Sequence, residues 1–370
     1  MEYTQYGKTG LNVSRFGLGC MRFPSEEAEA IKMVRYAIDN GVNYIDTAYV
    51  YANSEVITGK ALKDGYRNKT YVATKCPIWH VTKHEDFEKY LDEELERLGT
   101  DYIDIYLLHN LNPENWDIVK KFDGFTFVDK MVQKGKIRHK AFSAHTTLPA
   151  FKEIIDSFDW EMAQIQLNIL DEFQQIGAEG MRYAAEKGIA VVAMEPLRGG
   201  YLVNNIPAQV EAMIAQYPEK RPLVEWCFRW LYSMPEISVI LSGTSSLEQL
   251  KENLRIFDHS APGGMSDEDL TMIAAVRKIY ESTKHINCTG CRYCMPCPSG
   301  VDIPETFRLY NSYERMKPDC TDKKTYQNSV VSKGSGADKC ISCGLCVEHC
   351  PQKLDIPNLL IDAHAELTAN

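Results

Sequence analysis

The chain has 370 residues, 44% hydrophobic and 25% charged, with a formal net charge of -10. That balance suits a globular protein with a sizeable core and excludes wholesale disorder, while the negative charge leaves neither a nucleic-acid footprint nor a polybasic membrane anchor. A typical α/β barrel takes about 250 residues, so one barrel and one small domain fit the length.

The opening segment, MEYTQYGKTGLNVSRFG, has no basic stretch followed by an apolar run, and no apolar stretch elsewhere approaches about 18 residues. The expectation is a cytoplasmic protein with no membrane span. Residues 2–14, EYTQYGKTGLNVS, read as a hairpin closing a barrel floor. Short β-branched or aromatic runs then alternate with segments of helical period, the pattern of βαβ units around a parallel sheet. The predicted strands are 15–23, 44–48, 70–76, 103–109, 140–145, 162–167, 190–194 and 238–241.

Between the first two strands, EEAEAIKMVRYAIDNG places Ile31, Val34 and Ile38 on one helical face, with Gly41 to end it. HEDFEKYLDEELERLG repeats the pattern with Phe87, Tyr90, Leu91, Leu95 and Leu98, acidic residues early and Gly99 at the exit. WCFRWLYSMPEISV reads as a core-facing helix. Eight strands, each followed by a helix, close most economically into a (β/α)8 TIM barrel; the alternative, an open doubly wound sheet, lacks a GxGxxG after its first strand.

After Asp258 the character changes. HSAPGGMSDEDL is a Gly/Pro-bearing connector, and a helix over 267–284 leads straight into Cys288. The expected organisation is a barrel over 1–258, a connector with its linking helix over 259–285, and a small α-helical, ferredoxin-like domain over 286–370.

Barrel active sites sit at the carboxyl ends of the strands. Asp46 ends the second predicted strand with Tyr51 just beyond it, Lys75 ends the third, and His109 ends the fourth. Together they suit proton delivery. A phenol with an ordinary pKa of about 10 needs a neighbouring cation to act near neutrality. Lys75 is that cation, Asp46 holds it charged, and His109 can donate to a carbonyl oxygen. Singly, each residue is as easily a cap or a solvated rim residue; the case rests on their joint placement on consecutive strands.

These residues lie in FGLGCMRF, GVNYIDTAYVYANSE, YVATK, DYIDIYLLH, GKIRHKAFSAH, QIQLNIL and ILSGTSSLEQLKENL, and in this order the segments resemble the aldo-keto reductase family across roughly residues 1–258. The resemblance implies catalytic roles for Asp46, Tyr51, Lys75 and His109, with the tyrosine as general acid in reversible hydride transfer between NADP or NAD and a small aldehyde or ketone. It also implies cofactor contacts at Ser143, Gln164, Asn168, Pro196, Leu197, Gly199, Gly200, Gly243, Thr244, Ser245, Gln249, Glu252 and Asn253. Glycines and hydroxyls after the eighth strand suit a phosphate. The sequence departs from the family's usual pattern at Met194, where an aromatic is common, at Gly243 and Gln249, where NADPH-specific members carry Lys and Arg, and at Ala144, where His145 is the available substitute.

Nine of the twelve cysteines follow residue 287, which in a reducing compartment points to metal rather than disulfides. CISCGLCVEHCP, residues 340–351, has the bacterial ferredoxin spacing for a 4Fe-4S centre, and CTGCRYCMPCP, residues 288–298, repeats it one residue short in its last interval. By the crossed pattern, Cys288, Cys291 and Cys294 with Cys350 hold one cluster, and Cys340, Cys343 and Cys346 with Cys297 hold the other. The intervening segment, with PETFRLYNSYERM, resembles a helical ferredoxin-like module, so the whole resembles the aldo-keto reductases that end in such a domain. Structural zinc is the competing occupant. Cys320 reads as a spectator, and Cys20, Cys76 and Cys227 as buried fillers.

A nicotinamide exchanges two electrons as hydride and a cluster exchanges one, so direct transfer between them needs an intermediary. Three functions remain open. One is a carbonyl reductase whose tail meets a redox partner or senses redox state. Another is an electron-transfer protein whose barrel binds flavin or substrate, and the third is a nicotinamide-binding module without turnover. Trp116, Phe122, Phe125 and Phe127, after the fourth strand, either line a substrate pocket or pack on the cysteine module.

Overall fold

The structure, a computed structural model, describes residues 1–258, 263–316 and 321–369. Strands β1 (Tyr3–Gln5) and β2 (Asn12–Ser14) pair antiparallel as the expected hairpin, Tyr3 opposite Ser14. Eight parallel strands follow: β3 (Phe16–Gly19), β4 (Tyr44–Asp46), β5 (Tyr71–Cys76), β6 (Ile103–Leu111), β7 (Ile137–Ala144), β8 (Met162–Gln166), β9 (Ala190–Met194) and β10 (Ile237–Gly243). They close in chain order, β10 beside β3, into a barrel.

The helices of the βα units are α1 (Glu27–Asp39), α2 (Ser54–Ala61), α3 (Glu85–Leu98), α4 (Pro113–Lys121), α5 (Gly124–Gln133), α6 (Leu148–Ser157), α7 (Gly177–Glu186), α8 (Ala208–Gln216), α9 (Leu223–Tyr232) and α10 (Leu247–Asp258). α1 and α3 end as their sequences require: Gly41 and Gly99 take φ of 89° and 62°, left-handed values that spare glycine the Cβ penalty.

Strand limits differ by a few residues from those read in the sequence, and at two of them the local backbone gives the reason. β3 stops at Gly19 because residues Cys20–Arg22 wind into a 3-10 turn. β6 runs past His109 to Leu111 through an irregularity: its register against β7 shifts between Leu108 and Leu111, and Asn110 takes a φ of 56°. Trp116, Phe125 and Phe127 pack with other aromatic side chains of the barrel unit. They join the barrel's outer packing, Phe125 stacking on Phe158 at 4.5 Å and edge-on to Trp116, and Phe127 stacking on Phe87 at 5.3 Å.

Inside the barrel, inward residues form apolar layers: Tyr44, Ala73, Ile105, Leu107, Ala141, Met162, Val192 and Leu241 are all buried. The hairpin closes the lower end with Tyr6, fully buried, whose hydroxyl meets that of Tyr44 at 3.0 Å.

The chain divides into two compact units, one of Met1–Pro196 with Cys227–Ser266, the other of Leu197–Trp226 with Asp267–Asn370. The second therefore includes α8 and the connection after β9, and the division falls within α9, whose Trp226, Phe228, Trp230 and Leu231 are buried as expected. Its remaining helices are α11 (Asp267–Ser282), α12 (Ile303–Met316), α13 (Asp322–Tyr326), α14 (Leu345–Glu348) and α15 (Ile356–Thr368). Ile303, Phe307 and Tyr310 of α12 and Ile356, Leu360 and Leu367 of α15 build its apolar core. Asn311 ties the incoming chain to α12, its amide accepting from the Ile286 N–H at 2.7 Å and donating to the Ile286 carbonyl at 2.8 Å. Cys320 lies outside the described residues. Among those described, no helix is long and apolar enough to cross a membrane.

Candidate active site and cysteine module

Side chains alternate along a strand, so the residue two beyond each apolar inward residue faces inward one layer higher. Beyond Tyr44, Ala73, Leu107, Ala141, Met162, Val192 and Leu241 come Asp46, Lys75, His109, Ser143, Gln164, Met194 and Gly243. Five of these seven are polar or charged, so most of the barrel's polar inward side chains lie in this layer.

Lys75 is fully buried, and its ammonium donates to both oxygens of Asp46 at 2.7 Å and to the Thr47 carbonyl at 2.6 Å. Three acceptors satisfy its three donors. Burial raises the Asp46 carboxyl above its ordinary range, and the Lys75 charge opposes that rise. Tyr51 stands in the turn before α2, with the Lys75 nitrogen 5.0 Å from its ring centroid. His109 meets Tyr51 edge-on, ring centroids 6.0 Å apart. Its imidazole is held well below the usual range, chiefly by burial, then by the Lys75 charge and His145, so it is neutral. The irregularity in β6 falls at this residue, where such features re-aim a side chain. The four residues singled out in the sequence thus come together.

Trp79, in the turn after β5, lies over His109 at 5.2 Å between centroids and completes the group. It was missed; its only signal is its place three residues beyond Cys76 on the same rim.

The nucleotide candidates divide. Ser143 is buried, its hydroxyl accepting from the Asn110 N–H at 2.9 Å. Gln164 donates to the Met194 sulfur at 3.6 Å, while its Oε1, like the Thr244 hydroxyl, is a buried polar atom with no partner among the described residues. Asn168 is committed within the protein, donating to Asp171 at 2.6 Å and to the Glu195 carbonyl at 3.1 Å and accepting from the Leu170 and Asp171 N–H groups. Gln166 also donates to Asp171, at 2.7 Å, so Asp171 anchors a turn that the sequence did not reveal. Pro196 is buried at the end of its unit, whereas Leu197, Gly199 and Gly200 belong to the other unit.

After β10, the Ser245 N–H and hydroxyl both donate to Gln249 Oε1, at 3.0 and 3.2 Å, while Asn253 donates to Ser242 at 3.1 Å. Gly243 and Glu252 are exposed. Arg22 pairs with Glu195 at 3.8 Å, and a side chain on Gly243 would come within 3.6 Å of the Arg22 stem, so a cation not singled out in the sequence stands beside this loop. His145 is pushed down to about 4 by burial, with Gln175 and Asp171 acting the other way.

In the second unit, Cys288, Cys291, Cys294 and Cys350 line one cavity, together with Phe307, Leu354 and Ile356. Burial, then the neighbouring Cys291, Cys288 and Cys350, pushes the Cys294 thiol up to about 12. Cys346 is raised by burial and then by Cys340, Cys343 and Cys297. Each set joins three cysteines of one motif to the last cysteine of the other. The shortened interval therefore leaves Cys297 beside the second motif. The Gly290 N–H donates to the Cys288 sulfur and the Ser342 N–H to the Cys340 sulfur, each at 3.4 Å. Thiols that raise one another when gathered need a cationic centre to stay deprotonated together, and amide donors favour the same form, so the donor set fits an iron–sulfur group. Among the described residues, no three His, Cys, Asp or Glu side chains gather at a point as ligands of one ion; Cys288, Cys291, Cys294 and Cys350 line a cavity instead. Cys20, Cys76 and Cys227 are buried in the barrel unit, as expected of fillers.

Residues 15–278 match the model of the aldo/keto reductase family, and residues 287–354 match a 4Fe-4S dicluster domain. An L-galactose dehydrogenase of Arabidopsis thaliana is 28% identical over 75% of this chain and 94% of its own. An NADH-specific methylglyoxal reductase of Escherichia coli is 27% identical over 76% of this chain and 100% of its own. Among solved structures, an aldo-keto reductase from Bacillus halodurans in its holo form superposes with a TM-score of 0.63 at 25% identity, covering 75% of this chain and 96% of its own. A closed eight-stranded barrel with a polar layer at its carboxyl rim, followed by a cysteine-rich helical unit, agrees with both matches: the chain belongs to the aldo/keto reductase family and continues into a 4Fe-4S dicluster domain.

Proposed function

We propose that the chain is a cytoplasmic NAD(P)H-dependent oxidoreductase that interconverts a small aldehyde or ketone and its alcohol, and that its C-terminal domain holds two 4Fe-4S clusters serving a redox partner. The barrel over 1–258 does the hydride chemistry, 259–285 connects, and 286–370 carries the clusters. The observation behind this reading is the buried Lys75, fully hydrogen-bonded and 5.0 Å from the Tyr51 ring. A binding module has no use for a buried ammonium beside a phenol, since burying the charge costs several kcal/mol, roughly, before pairing offsets it.

Nicotinamide, when bound, supplies the hydride. Tyr51 gives its phenolic proton to the substrate oxygen, and Lys75 makes the phenolate left behind tolerable. Asp46 keeps Lys75 charged and fixed. Neutral His109 donates an N–H to the same oxygen, orienting the carbonyl and stabilising charge as it develops. Gln164 and Thr244 offer the nucleotide their unpartnered polar atoms, with Ser143 and Gly243 on the same rim; Arg22 offers its phosphates a cation. The relatives named as a dehydrogenase and a reductase support a small carbonyl or alcohol substrate. In the tail, Cys288, Cys291, Cys294 and Cys350 hold one cluster, and Cys297, Cys340, Cys343 and Cys346 the other. Clusters pass single electrons, so the tail works with a protein partner and not directly with the nicotinamide.

The test is anaerobic purification, iron and zinc assay, a visible spectrum, and NADPH and NADH oxidation against a panel of aldehydes and ketones, with Tyr51→Phe alongside. Iron near eight per chain and carbonyl reduction lost in Tyr51→Phe are expected, roughly a 100-fold loss or more for removing a general acid. Undiminished reduction by Tyr51→Phe overturns the catalytic reading. Zinc in place of iron overturns the electron-transfer reading, and a flavin spectrum favours single-electron reduction in the barrel.

A further inference from the structure

Tyr51 sits in a loop, residues 47–53, that leads into α2 and is held at both ends. At its start, the Thr47 carbonyl accepts from Lys75, and the Thr47 hydroxyl meets the Ser54 hydroxyl at 2.7 Å. Ser54 in turn donates to the Cys20 carbonyl at 3.0 Å, and its N–H donates to the Tyr51 carbonyl at 2.8 Å. The next residue, Glu55, is buried and accepts from the Thr74 hydroxyl at 2.6 Å, immediately before Lys75 in β5. Arg97 of α3 closes the arrangement. One guanidinium nitrogen donates both to Glu55 Oε2 at 3.1 Å and to the Tyr49 carbonyl at 3.2 Å, and the guanidinium lies 4.0 Å from the Tyr49 ring centroid.

A buried carboxylate is a poor way to hold helix against helix, because an apolar residue of similar volume would stabilise the contact at least as well. Glu55 pays for its burial with bonds to Thr74 and Arg97, and Arg97, which also pairs with Glu93 at 3.5 Å, carries the contact on to the Tyr49 carbonyl. Thr74 adjoins Lys75, and Tyr49 and Glu55 bracket Tyr51. Burial raises the Glu55 carboxyl, while Thr74 and Arg97 draw it back down.

We propose that the Arg97–Glu55 pair is a positioning device for Tyr51. It fixes the backbone before and after the phenol, so the ring keeps its place beside Lys75 while substrate enters and leaves. The proposal rests on the reading of Tyr51 as proton donor, and neither Arg97 nor Glu55 touches substrate.

The experiment compares Glu55→Gln, Arg97→Met, their combination and Tyr51→Phe in the full iron-loaded chain. It reads kcat and nucleotide KM across pH, the urea midpoint, and the tyrosinate absorbance titration of Tyr51, obtained by difference from Tyr51→Phe in each background. Each single variant is expected to lower kcat roughly 10- to 100-fold, the scale set by small misplacements of a reacting group, at unchanged nucleotide KM. The Tyr51 titration is expected to move upward. The double variant should lose no more than the worse single one, because the pair acts as a unit. Glu55→Gln is isosteric and carries the test if Arg97→Met does not fold. Variants that lower only the urea midpoint, with kcat and the Tyr51 titration at wild-type values, overturn the proposal. If instead Tyr51→Phe retains full activity, the proton-donor reading fails, and the absorbance titration alone decides whether the pair sets the environment of Tyr51.

Discussion

Arg315 donates through Nη1 to the backbone carbonyl of Tyr201 at 2.7 Å and lays its guanidinium 4.3 Å from the centre of the same residue's ring. The two are separated by 114 residues, yet Tyr201 is also held by Tyr280 at 5.8 Å and His285 at 5.4 Å, while the Tyr280 hydroxyl donates to the Leu202 carbonyl at 2.6 Å. The connection after β9 is thereby sewn into the cysteine-rich unit. Arg315→Ala should free it: hydrogen exchange of residues 197–205 should rise well above wild type, with a stability loss of about 1.5–3 kcal/mol for a lost hydrogen bond to a charged group. Unchanged exchange there would show that Tyr280 and the apolar contacts suffice.

Lys75→Met should leave Asp46 buried without its counter-charge, costing about 3–5 kcal/mol at neutral pH by urea denaturation. The sign with pH follows from Asp46, whose folded pKa burial raises above its unfolded value. An acid shifted that way destabilises the fold increasingly as pH rises from the unfolded pKa through the folded one. The deficit of Lys75→Met relative to wild type should therefore be larger at alkaline than at mildly acidic pH, and Asp46→Asn in the same chain should recover most of it.

His145 should make the fold acid-sensitive. Its folded pKa lies near about 4, below an unfolded value of about 6.5, so its contribution is fully present above the unfolded pKa and is lost as pH falls toward the folded one. Across that window it should cost about 1 kcal/mol per pH unit, with His109 acting in the same direction. His145→Gln should flatten the dependence of the urea midpoint between neutrality and mild acid; an unaltered slope would show that other groups govern it.

Crossed ligation can be read from iron content. Cys291→Ser and Cys350→Ser should each cost about half the iron, and the double variant no more than that, because both residues line one cavity. Cys350→Ser combined with Cys343→Ser should lose nearly all of it. The reverse pattern would mean that each motif holds its own cluster.

Two features of this protein were legible in its residue order because local chemistry controls them. Strand alternation places Asp46, Lys75 and His109 one pleat above an apolar layer, and the spacing of Cys288 to Cys297 and Cys340 to Cys350 has the ferredoxin pattern. Both are short-range patterns of period two or three, which survive without knowledge of the fold. Even the positive-φ stops at Gly41 and Gly99 belong to this class.

Tertiary structure decided the rest. Nothing in local pattern tells Arg97 to reach Glu55, 42 residues away, or Arg315 to reach Tyr201; these contacts exist because helices from distant segments pack side by side. The irregularity at His109, the seating of Phe125 and Phe127 among helices, and the membership of residues 197–226 in the cysteine-rich unit likewise depend on which surfaces meet. Long charged and aromatic side chains take the partner that closure of the chain brings within a few ångströms, and burial then sets its worth, so their roles emerge only when the whole polypeptide has folded.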